Sequence, residues 1–133
     1  MPIQLDHLAL NIKNEIEMIH FYHTVLQLPA ERLGEYRQGK VPFASVRINA
    51  DTIIDLFPKR MWDSNRNSEG VFNLNHFCLT LGKEEWRDLC GRLASFGIPI
   101  EEGPVSRWGA HGNGTSVYFR DPDANRIEAR YYE

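Results

Sequence analysis

Two histidines and two carboxylates recur at matching places in this chain of 133 residues. His7 lies in Leu5-Asp6-His7-Leu8-Ala9-Leu10, and an ungapped copy 69 residues later, Leu74-Asn75-His76-Phe77-Cys78-Leu79, carries His76. Asp55 lies in Ile53-Ile54-Asp55-Leu56-Phe57, and Arg126-Ile127-Glu128-Ala129-Arg130 repeats that pattern at an offset of 73 with Glu128 at the same place. Any one such histidine is ordinarily a strand residue satisfied by hydrogen bonds; the recurrence is what points to metal chemistry. Two imidazoles with two carboxylates form a mixed N/O donor set suited to divalent Fe, Mn, Ni, Co or Zn, and short of the all-oxygen shell of Ca. Aspartate is one methylene shorter than glutamate, so Asp55 is expected either in direct contact with the ion or reaching it through water. Without Asp55, the set His7, His76 and Glu128 is the two-histidine, one-carboxylate arrangement of non-haem iron oxygenases, with positions left open for substrate and O₂.

These side chains need elements to hold them. In each copy the histidine stretch alternates as a strand: Leu8, Leu10 and Ile12 on one face in the first, Phe77, Leu79 and Leu81 in the second. The opposite face carries His7, Ala9 and Asn11, or His76, Cys78 and Thr80. A helical pattern follows each strand. Trp86, Leu89, Cys90, Leu93 and Phe96 recur at helical spacing before a stop at Gly97 and Pro99; Ile16, Ile19, Tyr22, Val25 and Leu26 do so before Pro29. Short strands are expected near 31–36, 41–49 and 52–57, and again near 99–103, 115–120 and 126–132. The half-unit is therefore βαβββ, used twice: a first module over 1–57, a polar linker over 58–72 and a second module over 73–133. Duplicated halves commonly fold about a pseudo-two-fold axis, which would turn the four ligands toward one point.

Residues two apart on a strand share a face, and this parity nominates the rest of a pocket. Glu128 is flanked by Arg126 and Arg130, the preceding strand presents Ser116, Tyr118 and Arg120, and the first half has Phe43, Ser45 and Arg47 in a similar row. Tyr118 is the expected hydrogen-bond donor to a bound ligand, and Arg47 or Arg130 the anchor for a substrate anion, although an arginine beside a glutamate is more often a cross-strand ion pair. Cys78 shares the His76 face and reads as a small buried hydrophobe. The segment Trp108-Gly109-Ala110-His111-Gly112-Asn113-Gly114 lacks the order of a dinucleotide fingerprint and reads as a mobile lid, with Trp108 or His111 touching substrate. His20 and His23 read as surface or packing residues. Trp62 and the asparagine-rich 64–67 fall in the linker.

Composition excludes other classes. Fifteen Lys and Arg against eighteen Asp and Glu, spread without blocks, give a net charge of −3 and no reason to expect nucleic acid or an anionic membrane as partner. No apolar run approaches the roughly 20 residues of a membrane helix. The start of the chain has neither the basic residues nor the long apolar core of a secretory signal, and two cysteines are too few for a disulfide scaffold, so a reduced, cytoplasmic setting is expected.

Leu5-Asp6-His7, Asn75-His76, the run Ser116-Val117-Tyr118-Phe119-Arg120-Asp121-Pro122-Asp123-Ala124-Asn125-Arg126-Ile127-Glu128 and the paired βαβββ pattern resemble the vicinal oxygen chelate superfamily over essentially the whole chain. That superfamily holds glyoxalase I, fosfomycin-resistance thiol transferases, extradiol dioxygenases and bleomycin-binding proteins; Ile98-Pro99-Ile100-Glu101-Glu102-Gly103-Pro104-Val105 looks closest to its small glyoxalase-domain members. The resemblance implies an α+β fold whose paired modules form a curved mixed sheet around a metal-binding cup, and a homodimer. It identifies His7, His76 and Glu128 with the family's ligand triad and places Asp55 where glyoxalase I has a glutamate. The implied activity is a glyoxalase I-like lyase or isomerase working on a small vicinal-oxygen substrate at a divalent metal, with Glu128, Asp55 and Tyr118 as its catalytic groups. An iron-dependent ring-cleaving dioxygenase and a metal-free, bleomycin-type binding protein are the alternatives. The family's turn usually reads Asp-Pro-Asp-Gly-Asn; with Ala124 in place of glycine, the left-handed residue there is expected to be Asn125.

Overall fold

A computed structural model describes residues 4–62 and 74–133. The chain divides into two compact units, Met1–Gly70 and Val71–Glu133, each built on a four-stranded mixed sheet. In the first, β1 (His7–Asn11), β2 (Ala30–Glu31), β3 (Ala44–Asn49) and β4 (Thr52–Phe57) lie in the order β1-β4-β3-β2. In the second, β5 (Phe77–Thr80), β6 (Glu102–Gly109), β7 (Gly112–Arg120) and β8 (Arg126–Tyr131) repeat it as β5-β8-β7-β6. Each histidine-bearing stretch thus leads into an edge strand lying parallel to the central strand that carries the carboxylate. Ala9 is opposite Asp55, and Cys78 is opposite Glu128.

The helices follow from apolar spacing. In α3 (Lys83–Ser95), Trp86, Leu89 and Leu93 are buried, which contributes roughly 1.5–3 kcal/mol per side chain. The Trp86 indole N–H donates to the Ala129 carbonyl at 2.9 Å, tying helix to central strand. Gly97, at φ 71, ends the helix as expected, and the Ile98 N–H returns to the Leu93 carbonyl. In the first unit α1 (Glu15–Ile19) widens into a π-helical turn over His20–Val25, closed by the Leu26 N–H bonding Phe21 O, after which the Leu28 N–H returns to Tyr22 O. The wider turn buries Phe21, Tyr22, Val25 and Leu26 together and leaves Ile16, placed on the buried face by a 3.6-residue period, 82% exposed.

Three expectations are corrected. Near 31–36 only Glu31 continues the strand of Ala30; Arg32 takes a left-handed φ of 60° and the chain enters α2 (Leu33–Arg37). Leu33 and buried Tyr36 have helical, not strand, spacing. The strand expected at 99–103 begins at Glu102 and runs to Gly109, so the supposed lid loop is the end of a hairpin. In the turn before β8 the left-handed residue is Ala124, at φ 70, not Asn125. The reason is that both the backbone N–H and the side-chain amide of Asn125 are held by the Asp121 carboxylate. Of the linker, Pro58–Trp62 is described, with a 3₁₀ turn at Lys59–Met61 and the Trp62 indole donating to Phe57 O; the asparagine-rich 64–67 lies outside the described residues.

Candidate metal-binding site

In both units the histidine is oriented by the residue before it. His7 Nδ1 lies 2.8 Å from Asp6 Oδ2, and His76 Nδ1 lies 2.7 Å from Asn75 Oδ1. A carboxylate can only accept, so His7 carries its proton on Nδ1, and the Asn75 carbonyl oxygen takes the same role for His76. In metal-ligating histidines a hydrogen bond of this kind fixes the tautomer and ring plane, and here it leaves Nε2 as the unprotonated ring nitrogen. The Asp6 hydrogen bond, helped by the Asp55 carboxylate, raises the exposed His7 imidazole above its ordinary pKa.

His76 Nε2 faces Glu128 Oε1 at 3.1 Å. With the Nδ1 proton committed to Asn75, a neutral His76 offers only a lone pair there, and the carboxylate oxygen offers another. Two acceptors at this distance call for a cation between them, either a second ring proton or a metal ion. Donors bound at about 2.1 Å and at a right angle around one ion would stand about 3.0 Å apart, so the pair fits a divalent cation. Among the described residues no group of three or more His, Cys, Asp or Glu is gathered at metal-holding distance; each unit presents one histidine and one carboxylate.

The two carboxylates are supported differently. Asp55 is 7% exposed and accepts Ser45 Oγ at 2.6 Å from the residue directly opposite on β3. Glu128 is 3% exposed, and its Oε2 accepts both Ser116 Oγ and Arg130 Nη2, each at 2.6 Å. Burial pushes the Glu128 carboxyl upward in pKa, but the Ser116 and Arg130 bonds more than offset this and hold it below the usual carboxylate range. Opposite Glu128 on β7 stands Tyr118, buried, its ring 4.1 Å beneath the Arg126 guanidinium and edge-on to His76 at 5.8 Å. Burial and the neighbouring Glu128 raise its hydroxyl pKa, so Tyr118 keeps its proton and can donate it in a hydrogen bond.

A cavity of about 310 Å³ opens on this face of the second unit. Its floor is His76, Cys78 and Thr80 from the β5 side with Glu128, Arg130 and Tyr132 from the β8 side; its roof is Trp108 to His111. The roof is a ribbon. Beyond the rung joining Thr115 to Tyr131, β6 and β7 continue paired only with each other, Arg107 with Gly114 through Gly109 with Gly112. The ribbon lies on Arg130, which donates to the carbonyls of Arg107 at 3.1 Å and Trp108 at 3.0 Å, while Tyr132 OH accepts the His111 N–H at 3.3 Å. A Cβ at 109 would run into the Arg130 guanidinium and Tyr132 OH, which glycine avoids.

His76, Glu128, Arg130 and His111 are therefore together in one cavity, with Trp108 at its rim, 80% exposed. Arg47 belongs to the first unit, its guanidinium donating to Glu31 and to the carbonyls of Asn49 and Ala50. His23 Nδ1 pairs with the Leu28 carbonyl, a local packing role. Sequence reasoning did not nominate Tyr132 or Thr80, though parity would have done so: 128, 130 and 132 share a face, as do 76, 78 and 80. Cys78, read as buried, is exposed, because β5 is an edge strand; its thiol is pushed upward in pKa by desolvation and then by Glu128.

Two βαβββ units, each offering a histidine and a carboxylate from neighbouring parallel strands, define the fold class. The chain belongs to the Glyoxalase/Bleomycin resistance protein/Dioxygenase superfamily, which matches it over residues 4–129. It is 32% identical to virulence protein STM3117 of Salmonella typhimurium over 130 residues, 97% of this chain and 84% of that one. The crystal structure of that protein superimposes with a TM-score of 0.78 at 28% identity, covering 100% of this chain and 99% of the other. Glyoxalase domain-containing protein RDO1 of Mycosarcoma maydis is 31% identical over 129 residues, 97% of this chain and 68% of its own. A glyoxalase/dioxygenase from Nostoc punctiforme gives a TM-score of 0.75 at 26% identity, covering 98% and 91% of the two chains.

Proposed function

We propose that this protein is a metal-dependent enzyme of the glyoxalase I-like type, acting on a small molecule that presents adjacent oxygens to a divalent ion. The observation that carries the reading is the facing of two acceptors, His76 Nε2 and Glu128 Oε1, at 3.1 Å, with the other ring nitrogen already committed. The residues proposed to hold a divalent ion, Fe, Mn, Ni, Co or Zn, are His76 and Glu128 in the second unit, with His7 and Asp55 the corresponding pair in the first. Bound there, it supplies Lewis acidity that polarises a carbonyl and acidifies the neighbouring C–H. In this reading Glu128, fixed by Ser116, Arg130 and His76, is a ligand and the base, and Asp55, with Ser45 as its hydroxyl partner, is the other carboxylate of the pair. Tyr118 donates a hydrogen bond to the bound ligand, and the ribbon from Trp108 to His111 screens the cavity from water. The protein works as a homodimer in the cytoplasm in this reading.

The aromatic side chains of Trp108, His111 and Tyr132 around the cavity favour a second reading, a ring-cleaving dioxygenase receiving a planar catechol. Elemental analysis of protein purified without added metal, on wild type and His76→Ala, tests both. Retained nickel or zinc with hemithioacetal turnover supports the lyase, and retained iron with O₂ uptake on catechols the dioxygenase. A wild-type protein that retains no metal and gains no thermal stability from any of the five ions refutes both and leaves a metal-free binding protein.

A further inference from the structure

The two oxygens of Glu128 are assigned to different partners. Oε2 takes Ser116 Oγ and Arg130 Nη2, both at 2.6 Å, and Oε1 is left facing His76 Nε2. The Arg130 side chain is only 4% exposed, and its remaining terminal donors run to the Arg107 and Trp108 carbonyls and to Tyr132 OH. Its Nε–H is buried without a partner. An arginine kept for a substrate anion would hold an open pair of donors toward the cavity, whereas this one is spent inside the protein. A planar guanidinium anchored at several points restrains the carboxylate it grips.

The first unit provides a comparison within the same chain. At the offset of 73, Phe57 stands at the place of Arg130 and Phe43 at the place of Ser116, and these two rings pack edge-on at 4.9 Å. Among the described residues, the hydrogen bond to the Asp55 carboxylate is that of the Ser45 hydroxyl. The two halves thus share a histidine and a carboxylate but not the device behind the carboxylate.

We propose that Arg130 is a positioning residue, gripping Glu128 Oε2 so that Oε1 is presented beside His76 Nε2 as a ready-made pair for a divalent cation. The proposal rests on the metal-binding reading above. The sign of the effect separates it from its rivals. Charge alone predicts that removing a cation next to a carboxylate tightens metal binding, and a purely structural role predicts no change in the protein that remains folded. Loss of positioning predicts weaker binding, by about 10- to 100-fold for an outer-shell partner.

The test is metal affinity, not turnover. Mn²⁺ binding, read from the EPR signal of the free ion, and Co²⁺ binding, read from visible absorption, are compared in wild type, Arg130→Met, Arg130→Lys and Ser116→Ala, each checked for folding by near-UV circular dichroism. The expected result is a dissociation constant raised about 10- to 100-fold in Arg130→Met, partly restored in Arg130→Lys, and raised to a smaller degree in Ser116→Ala. Unchanged or tighter binding by folded Arg130→Met overturns the proposal. If that variant does not fold, wild-type affinity in both Arg130→Lys and Ser116→Ala overturns it instead. Wild type taking up neither ion is a different failure, that of the metal-binding reading itself.

Discussion

Replacing Glu128 by glutamine should destabilise the metal-free protein far more than the matching change at Asp55. Glu128→Gln leaves the buried Arg130 guanidinium with carbonyls and a hydroxyl but no counter-charge. Removing one partner of a buried ion pair costs about 3–5 kcal/mol. Asp55→Asn keeps an acceptor for Ser45 and strands only a neutral amide, at a cost of about 1 kcal/mol. For 133 residues the unfolding entropy is roughly 0.28 kcal/mol/K, so the melting temperature should fall by about 10–18 °C for Glu128→Gln and about 4 °C for Asp55→Asn. Thermal unfolding followed by circular dichroism in a chelator, which keeps metal linkage out, measures both. The pH dependence supplies a second check. Because Glu128 is held below its ordinary pKa of 4.5, its contribution is present above pH 4.5 and lost as the pH falls through the lower folded-state value. Glu128→Gln should lose that part of the acid limb. Melting temperatures for the two variants within about 2 °C of each other would refute the reasoning, since the Glu128–Arg130 pair would then not be the buried charge pair described.

Other substitutions probe the turn, the ribbon and the thiol. Ala124→Gly relieves an alanine at φ 70 and should raise the melting temperature by about 2–4 °C, for about 0.5–1 kcal/mol; a fall would mean that the turn relaxes away from that conformation. Gly109→Ala places a methyl against Arg130 Nη1 and Tyr132 OH, so it should cost about 1–3 kcal/mol and open the ribbon to proteolysis near Gly112; wild-type protease resistance would show that the ribbon does not lie on Arg130. Cys78, although exposed, should react with iodoacetamide at pH 7.5 more slowly than free cysteine, because desolvation and Glu128 disfavour its thiolate; an equal or faster rate would contradict this.

The parts of the fold legible in the sequence are those where period and duplication agree. Leu10 and Ile12 are buried on one side of β1 while His7, Ala9 and Asn11 are exposed, and Trp86, Leu89 and Leu93 form the buried stripe of α3. The π-helical turn escaped because one extra residue per turn leaves no mark in composition. Helix α2 escaped because a single left-handed residue, Arg32, redirects the chain, and arginine does not signal that conformation. The ribbon escaped because its glycines suggest a loop, whereas Gly109 and Gly114 are there for close approach: a Cβ on Gly114 would stand 2.9 Å from Tyr131 O.

At the site, likeness between the halves was readable and their difference was the harder part. Alignment finds His7 with His76 and Asp55 with Glu128, and stops there. The structure shows that the surroundings diverge in charge: Glu128 is neutralised by Arg130, whereas Asp55 is supported by the Ser45 hydroxyl, with Phe57 where the arginine would be. A buried carboxylate with a hydroxyl partner alone is costly unless a cation compensates it. The Asp55 carboxylate contributes to raising the pKa of His7. Glu128 thus has a buried counter-charge in Arg130, whereas Asp55 has the Ser45 hydroxyl and the His7 imidazole whose pKa it helps to raise. The two halves thus keep similar pairs of donors and differ in what stands behind them: Phe43 and Phe57 in the first occupy the places of Ser116 and Arg130 in the second.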